Sequence, residues 1–329
     1  MPERILIVGL GNIGRRHLKV VQEVLPDAGL VILRRPGGGL NGLSGVTLVH
    51  DVDAAGAAGA EAAIVASPAP MHVETALALA RSGVHLLIEK PLSDGLDGIG
   101  ELLRTCRQRR LVLQVGYCLR FHPSVQAMKE ALDEGCIGRV LGVQAEVGRY
   151  LPDWRSGIDY RQGVSARSDL GGGVLLELSH EIDLVRWMAG EISSVTALCG
   201  RRGDLEIDIE DSADLLLTFE SGAAGNIHMD MLQRKAARTC KIIGTDGTLV
   251  WDGIKFTTRL YRAESESWAV LYDGENDNRD LMYSEQFKHF LACVGSGDTP
   301  LVTGEDGRRA VEIVLAAKRS AREGRGVVP

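Results

Sequence analysis

An apolar segment followed at once by closely spaced glycines constrains the fold more than any other feature of this sequence. Arg4 to Val8 has the composition of a buried strand, Gly9-Leu10-Gly11-Asn12-Ile13-Gly14 follows it, and residues 12–25 have helical character. In such a unit the first glycine allows a tight turn, the second lets a ligand approach the backbone, and the third lets the helix pack closely. The start of the helix presents free N–H groups and the positive end of its dipole. The sequence therefore predicts that a dinucleotide pyrophosphate binds at Gly9, Gly11, Asn12, Ile13 and Gly14.

The alternation of strands and helices continues to about residue 120. Because consecutive parallel strands need a crossover, alternating segments of this length indicate a parallel sheet with helices on both faces. We therefore expect a doubly wound α/β domain over residues 1–120. Its further strand-like segments are 30–33, 62–66, 84–88 and 111–115, and its further helical segments are 71–82 and 98–109.

The pattern changes after Pro123. Successive strand-like segments joined by short turns indicate an antiparallel sheet, so residues 121–329 should form an α+β domain. We expect this second domain to bind substrate and to mediate oligomerisation, with a last helix that is able to pack back toward the first domain. Its predicted strands are 140–147, 195–198, 213–219, 224–231, 239–244 and 248–251, and its predicted helices are 125–133, 173–188, 285–294 and 306–323.

Length and composition exclude several classes of protein. A chain of 329 residues exceeds the roughly 250 residues at which single cores stop growing, which favours two domains. A net charge of -7 argues against a nucleic-acid partner. The six cysteines lack metal-ligand spacing, so we expect reduced thiols and no metal. Since the first ten residues do not resemble a signal peptide and no segment has about 20 apolar residues, we expect a soluble, cytoplasmic protein without a membrane partner.

The residues after the second predicted strand bear on the choice of cofactor. An acidic side chain about 20 residues past the glycine motif would bind the ribose 2′-hydroxyl, whereas arginine can hold a 2′-phosphate. This chain has Leu33-Arg34-Arg35-Pro36 there. We therefore expect NAD(P) as cofactor, with NADP(H) favoured over NAD(H) through Arg34 and Arg35. The alternative is that both arginines are solvated surface charges.

A lysine follows the strand that ends at Ile88. Ligands of open parallel sheets bind beyond the carboxyl ends of the strands, which is where Glu89-Lys90-Pro91 falls. The proline disfavours helical geometry at Lys90 and so keeps its backbone extended. A partly desolvated lysine can exchange protons with a hydroxyl or carbonyl group. An ordinary surface turn is the alternative interpretation.

Five motifs together resemble one enzyme family. They are Gly9 to Gly14, Ala66-Ser67-Pro68 followed by His72, Glu89-Lys90-Pro91, Gly116-Tyr117 followed by Arg120-Phe121-His122-Pro123, and the segment 171–183. In this order, and over essentially the whole chain, they resemble the glucose-fructose oxidoreductase/inositol dehydrogenase/rhizopine-catabolism (Gfo/Idh/MocA) oxidoreductases. The resemblance implies a Rossmann domain, an open and mostly antiparallel second sheet, NAD(P), and usually a sugar, polyol or related substrate. It also implies cofactor contacts from Ser67, Pro68, His72, Glu89, Lys90 and Tyr117.

A polar stripe marks the predicted helix 173–188. At about 100° per residue, Glu177, His180 and Asp183 fall on one face among apolar neighbours, and we predict all three as substrate contacts. The resemblance implies that His180 contacts the reacting hydroxyl of the substrate. The family usually has an aspartate four residues before this histidine, but Leu176 stands there and Glu177 is the replacement that we predict. A hydrogen-bonded structural stripe is the alternative.

Two further segments supply candidate contacts. Relatives frequently have asparagine where this chain has Cys118, a poor hydrogen-bond partner, which would alter a nicotinamide or substrate contact. Arg120 lies nearby and is predicted either to bind substrate or to pack between domains. The irregular stretch 154–169 carries several arginines that would suit an acidic or phosphorylated substrate, or would simply be exposed charges. Its members are Arg155, Tyr160, Arg161 and Arg167, of which we predict Tyr160 and Arg167 as substrate contacts.

These features predict a dehydrogenase or reductase acting on a CH–OH group. We expect hydride transfer to or from a sugar, sugar acid, nucleotide sugar or polyol, with Lys90 and His180 handling the substrate oxygen proton. The open face of an antiparallel sheet usually needs a cover, which predicts a homodimer or homotetramer through the second domain. Two alternatives share the architecture: an NAD-dependent glycosidase and a non-catalytic sugar or cofactor sensor.

Overall fold

The structure, a computed structural model, describes residues 2–37, 44–155, 157–278 and 280–329. These residues form two compact units, which are described separately below. The first unit runs to Cys118 and also includes Asp280–Arg308, while the second begins at Leu119 and includes Arg309–Pro329. The two units therefore differ from a simple division at residue 120, because a late segment of the chain belongs to the first unit.

The strands of the described residues form two sheets. In chain order they are β1 (Arg4–Val8), β2 (Gly29–Leu33), β3 (Val46–Val49), β4 (Ala62–Val65), β5 (His85–Ile88), β6 (Leu113–Val115), β7 (Val140–Gly148), β8 (Ile192–Gly200), β9 (Ser212–Phe219), β10 (Ala224–Asp230), β11 (Ala237–Gly244), β12 (Gly247–Asp252), β13 (Thr257–Arg262) and β14 (Ser267–Asp273). The first six belong to one sheet and the remaining eight to the other.

The α-helices of the described residues vary from one turn to more than five. They are α1 (Asn12–Val24), α2 (Val52–Ala57), α3 (His72–Arg81), α4 (Ile99–Arg109), α5 (Pro123–Asp133), α6 (Val174–Glu177), α7 (His180–Ala189), α8 (Leu281–Ser296) and α9 (Gly304–Glu323). Short 3-10 turns lie at Ala69–Met71, Cys118–Phe121, Leu151–Trp154, Tyr160–Gln162, Val164–Ala166 and Ser168–Leu170. None of the helices in the described ranges is both long enough and apolar enough to cross a bilayer.

The first unit has a six-stranded parallel sheet in the order β3-β2-β1-β4-β5-β6. The side chains of β1 after Arg4 and all those of β4 are buried, as expected for a sheet covered on both faces. Helix α8 joins this unit because Phe287 and Phe290 lie in the same apolar cluster as Ile5 and Ile7. The predicted doubly wound α/β fold is confirmed.

The second unit has an eight-stranded sheet in the order β14-β13-β12-β11-β7-β10-β9-β8. Its strand pairs are antiparallel except for β7 with β10, which are parallel. Helices α5, α6 and α7 contact strands of this sheet. The side chains of β9 alternate between buried and exposed, so one face of the sheet, here called the outer face, is open. The predicted mostly antiparallel second sheet is confirmed.

The continuous helix predicted over residues 173–188 is wrong. The structure has two helices, and the backbone between Glu177 and His180 tightens: the N–H groups of Ser179 and Glu181 donate to carbonyl groups three residues back. Such i to i−3 bonds wind the chain more tightly than an α-helix does. The break separates Glu177, the last residue of α6, from His180, the first residue of α7.

Candidate functional site

The glycine turn of the first unit forms between β1 and α1. Gly9 has φ +87°, a conformation that side chains rarely adopt, and a Cβ atom on Gly14 would collide with the carbonyl oxygen of Gly9. A Cβ on Gly11 would meet no heavy atom of the described residues within 4 Å. Gly11 is also the N-cap of α1, and no side chain caps the helix there. The turn thus combines tight packing at two glycines with open space at the third, which fits a pyrophosphate.

The chain after β4 lies beside this turn. A Cβ atom on Gly9 would lie 3.0 Å from the carbonyl oxygen of Ala66 and 3.3 Å from the amide nitrogen of Ser67. The hydroxyl oxygen of Ser67 is buried and makes no hydrogen bond within the described part of the chain. Pro68 begins the 3-10 turn Ala69–Met71. Ser67 therefore offers a polar group close to the predicted phosphate position.

The two arginines at the end of β2 differ in exposure. Arg34 is half-buried, its backbone N–H donates to Val49 at 3.1 Å, and its carbonyl oxygen lies 2.8 Å from Nδ1 of His50. Arg35 is exposed, with a guanidinium nitrogen 3.5 Å from the sulfur of Met71.

Glu89 and Lys90 directly follow β5. The Glu89 side chain is buried, its Oε1 lies 2.6 Å from Nε2 of His17, and its Oε2 accepts the backbone N–H of Lys90 at 3.2 Å. Burial disfavours the carboxylate, but the hydrogen bond from His17 and the charges of His17 and Lys90 hold the pKa of Glu89 below its ordinary value. Glu89 is therefore ionised at neutral pH. Lys90 itself is half-buried.

His72, the first residue of α3, is buried under the same segment. Its Nδ1 lies 2.9 Å from the carbonyl oxygen of Pro91 and its Nε2 lies 2.6 Å from that of Ser67. Burial lowers the pKa of His72, although the two carbonyl contacts and the charge of Glu89 act in the opposite direction. The structure thus places His72 against the backbone of two segments that the sequence predicted to contact the cofactor.

Tyr117 and Cys118 are the last two residues of the N-terminal segment of the first unit. Tyr117 is fully buried after β6, and the thiol of Cys118 lies 3.4 Å from the sulfur of Met282 in α8. Cys118 therefore packs against a methionine at the position where the resemblance implies a polar side chain.

In the second unit, Glu177 and His180 stand on either side of the break between α6 and α7, and both are half-buried. Gly173 precedes α6 with φ +106°, and a Cβ atom there would lie 2.5 Å from a carboxylate oxygen of Glu210. A glycine is thus required where the chain enters this segment.

Asp183 and Arg120 form a buried ion pair in the second unit. Nε of Arg120 donates to Oδ2 of Asp183 at 2.9 Å, and a terminal nitrogen donates to Oδ1 at 2.6 Å. The side chains are 3% and 2% exposed, and the guanidinium lies 5.2 Å from the ring centre of Trp187. This two-point pairing ties the turn after Leu119 to α7. The structure brings these two predicted substrate contacts together as partners of each other.

The predicted loop contacts lie in exposed ion pairs. Arg161 binds both Asp159 and Glu206, and Arg167 binds Asp169 at 2.5 Å. The hydroxyl group of Tyr160 accepts the backbone N–H of Glu206 at 3.1 Å. These carboxylates offset the positive charge of the loop.

His17 is the residue that the sequence interpretation missed. It lies three residues after Gly14 on α1, among the buried residues Leu18, Val20 and Val21. A histidine within an otherwise apolar buried group is the signal that could have found it, because a buried polar group needs a partner. His122 is likewise buried, but its Nδ1 accepts from Ser124 at the start of α5, which is a helix cap.

The glycine turn after β1, the parallel sheet around it and the mostly antiparallel second sheet are the arrangement of a dinucleotide-binding oxidoreductase. Residues 3–117 match the model of an oxidoreductase family with an NAD-binding Rossmann fold, and residues 125–250 match the GFO/IDH/MocA C-terminal domain. The chain belongs to this oxidoreductase family.

Curated relatives and solved structures agree with this assignment. Myo-inositol 2-dehydrogenase of Thermotoga maritima is 30% identical over 81% of this chain and 79% of its own length. The scyllo-inositol 2-dehydrogenase (NAD(+)) of Bacillus subtilis strain 168 is 26% identical over 98% of this chain and 94% of its own length. A levoglucosan dehydrogenase in complex with NADH and levoglucosan has the same fold, with a TM-score of 0.88 at 21% identity over 99% of both chains.

Proposed function

We propose that this protein transfers a hydride between a nicotinamide dinucleotide and a CH–OH carbon of a sugar-like or polyol substrate. The observation that carries the proposal is that three predicted site residues follow neighbouring strands at one edge of the first sheet. There Gly9 follows β1, Ser67 follows β4 and Lys90 follows β5, and these three strands are parallel neighbours. Because the carboxyl ends of parallel strands share one edge, the phosphate turn and the lysine lie at the same edge.

The dinucleotide would be held by the residues of the glycine turn and by Ser67. The first N–H groups of α1 and the open space at Gly11 suit the pyrophosphate. When bound, the cofactor supplies or accepts the hydride. Glu89 and His72 support the lysine segment through hydrogen bonds to the backbone.

In this proposal Lys90 and His180 handle the proton of the substrate oxygen. During oxidation one of them takes up the hydroxyl proton, and during reduction it returns that proton. Glu177 would bind a substrate hydroxyl or orient His180, in place of the aspartate that relatives carry four residues before the histidine. Arg120 and Asp183 would then support this region through their buried pair.

The relatives support a polyhydroxylated substrate. Their names include inositol dehydrogenases, a 1,5-anhydro-D-fructose reductase and a levoglucosan dehydrogenase. The exposed ion pairs of Arg161 and Arg167 leave little net positive charge in the loop, which favours a neutral sugar or polyol over a sugar acid or nucleotide sugar. Tyr160 and Arg167 remain our proposed contacts from that loop.

The central experiment is a screen of sugars, polyols, sugar acids and nucleotide sugars, followed through the absorbance of the reduced nicotinamide. With the best substrate, Lys90→Ala should lower kcat by about 100-fold or more, the size expected for losing a general acid or base. The same variant should still bind the dinucleotide, as measured by quenching of intrinsic fluorescence. A Lys90→Ala enzyme with wild-type turnover would contradict the proposed role.

For the cofactor we propose a preference for NADP(H). Arg34 and Arg35 follow β2 and place two guanidinium groups after the strand end where a 2′-phosphate would be bound. Two relatives are named with NAD(+) or crystallised with NADH, so the arginine pair would set this chain apart. Arg35→Ala should raise KM for NADP at least about 10-fold and leave KM for NAD nearly unchanged, since only NADP carries the 2′-phosphate. A wild-type enzyme with lower KM for NAD would contradict this preference.

We also propose that the protein assembles as a homodimer or homotetramer through the outer face of the second sheet. Leu216 is 63% exposed there, and register places Val270 in the same row across the sheet, also 63% exposed. Leu198 and Trp268 are 65% and 51% exposed on the same face. Large apolar side chains repeated over one open face are typical of an interface.

A further inference from the structure

The pair formed by His17 and Glu89 lies outside the chemistry proposed above. We infer that His17 is a positioning residue for Lys90: it holds the Glu89 carboxylate, and that carboxylate holds the backbone of the lysine. The inference rests on the proposed function only where it concerns turnover. The structural part concerns atoms of the first unit alone.

The two oxygens of Glu89 have different partners. Oε1 receives the Nε2–H of His17 at 2.6 Å, and Oε2 receives the backbone N–H of Lys90 at 3.2 Å. His17 lies on α1 and Glu89 follows β5, 72 residues later. One carboxylate therefore links the helix that begins at the glycine turn to the segment that carries the lysine.

The surroundings leave Glu89 little room to move. A Cβ atom on Gly116 would lie 3.0 Å from Cα and 3.1 Å from the carboxyl carbon of Glu89. Only a residue without a side chain allows this approach, so β6 and the glutamate are in close contact. On the far side of Lys90, His72 contacts the carbonyl oxygen of Pro91. The lysine thus lies between two backbone anchors, each of which depends on a buried histidine.

His17 is placed to support and not to react. Its side chain is fully buried, Nε2 is occupied by Glu89, and Nδ1 makes no hydrogen bond to any of the described residues. Its ring meets Tyr283 edge-on, with ring centres 5.8 Å apart. Because Glu89 is a carboxylate, which can only accept, Nε2 of His17 must carry a proton and donate it to Oε1. A ring of this kind donates one fixed hydrogen bond and has no route to substrate.

Loss of the Nε2–H donor of His17 should make the backbone at Lys90 less rigidly held. A buried carboxylate deprived of a hydrogen bond either takes up a proton or turns toward another donor, and both changes weaken its bond to the Lys90 N–H. A proton-transfer group displaced by about 1 Å can lose as much as about 100-fold in rate. Substrate affinity should change less, because His17 does not contact substrate.

The experiment compares His17→Phe, which removes the donor, with His17→Gln, which keeps an N–H group of similar reach. His85→Gln is the matched control: His85 is a partly buried histidine at the opposite end of β5, where Nδ1 accepts the N–H of Val112 at 3.0 Å. Three quantities are measured: kcat and KM with the best substrate, hydrogen exchange at the Lys90 amide, and the protonated ring nitrogen of His17 by long-range ¹H–¹⁵N NMR.

We expect His17→Phe to lower kcat by about 10- to 100-fold with less than about a threefold change in KM. Exchange at the Lys90 amide should accelerate by about 10-fold or more in that variant and stay unchanged in His85→Gln. His17→Gln should recover at least about a third of the wild-type kcat. The wild-type spectrum should show the proton on Nε2.

Each contrary outcome is decisive. An unchanged Lys90 amide in folded His17→Phe, or an Nε2 without a proton in the wild type, overturns the inference whatever the activity. Accelerated exchange with undiminished kcat overturns the catalytic part. If His17→Phe does not fold, Glu89→Met, which has no oxygen to accept the Lys90 N–H, takes its place with the same expected amide exchange. If no substrate is turned over by the wild type, the proposed function fails while the exchange measurement still decides whether His17 holds Lys90.

Discussion

The two sheets of the molecule differ in how their faces are covered. In β1 of the first unit, the neighbouring residues Leu6 and Ile7 point to opposite faces and both are fully buried. In β9 of the second unit, Leu215 is 1% exposed while its neighbour Leu216 is 63% exposed. In a strand that is buried on both faces, every side chain contributes to the free energy of unfolding. In a strand with one open face, alternate side chains are exposed and can contact another molecule. The following three predictions test that difference.

The largest effect should come from truncating pairs of neighbouring residues in each sheet. Leu6→Ala and Ile7→Ala should each lower the free energy of unfolding by about 3 kcal/mol, because both create cavities. Leu215→Ala should cost a similar amount, but Leu216→Ala should cost less than about 0.5 kcal/mol at low protein concentration. Urea unfolding measures all four. Equal losses at Leu215 and Leu216 in dilute protein would remove the distinction between the sheets.

The second effect concerns assembly. Leu216→Glu places a charge in the middle of the proposed interface, so the mass measured by light scattering should fall to that of the monomer. Leu96→Glu changes a leucine that is 44% exposed in the first unit and should leave the mass unchanged. A wild-type monomer at micromolar concentration, or an intact oligomer of Leu216→Glu, would show that the open face is not the interface.

The smallest effect should come from a titrating group on the outer face. His228 bonds Asp214 at 2.6 Å and Asp230 at 3.1 Å, and Glu146 lies opposite it on β7. Burial opposes the charged ring, but the neighbouring carboxylates raise the pKa of His228 above its ordinary 6.5. The resulting stability is fully present below pH 6.5 and is lost as the pH rises through the folded-state value.

His228→Gln should therefore flatten the stability curve on the neutral side. Subtracting the urea midpoints of the variant from those of the wild type at a series of pH values should give a difference that declines above pH 6.5 and shrinks with added salt. Parallel curves for the two proteins would show that the histidine carries no titrating contribution.

Much of the fold could be predicted from local sequence. The apolar strand before Gly9 and the alternation in β9 follow directly from periodicity. Strand β3 and helix α2 were missed because they are short and because α2 is rich in alanine and glycine. Strand β13 was missed although its burial alternates, because four of its six residues are polar, as in a loop. Strand β14 was missed although most of its residues are apolar or aromatic.

The candidate site was only partly predictable, and distance along the chain explains why. Lys90 and the glycines could be placed because each directly follows a strand. His17 and Glu89 are 72 residues apart, and Arg120 and Asp183 are 63 residues apart. The sequence around one member of such a pair therefore does not identify the other member. The break between α6 and α7 likewise depends on backbone bonds that the periodicity of residues 173–188 does not encode.

The open space at Gly11 sets it apart from the other two glycines of its motif. An alanine at position 9 or 14 would strain the native backbone or its packing, so a loss of binding there could not be told from damage to the domain. At position 11 a methyl group would meet no heavy atom of the described residues within 4 Å and would lie in the space that we propose for the pyrophosphate. Gly11→Ala should thus leave the domain folded but unable to bind the dinucleotide. One added methyl group would therefore distinguish the stability of the domain from its recognition of the ligand.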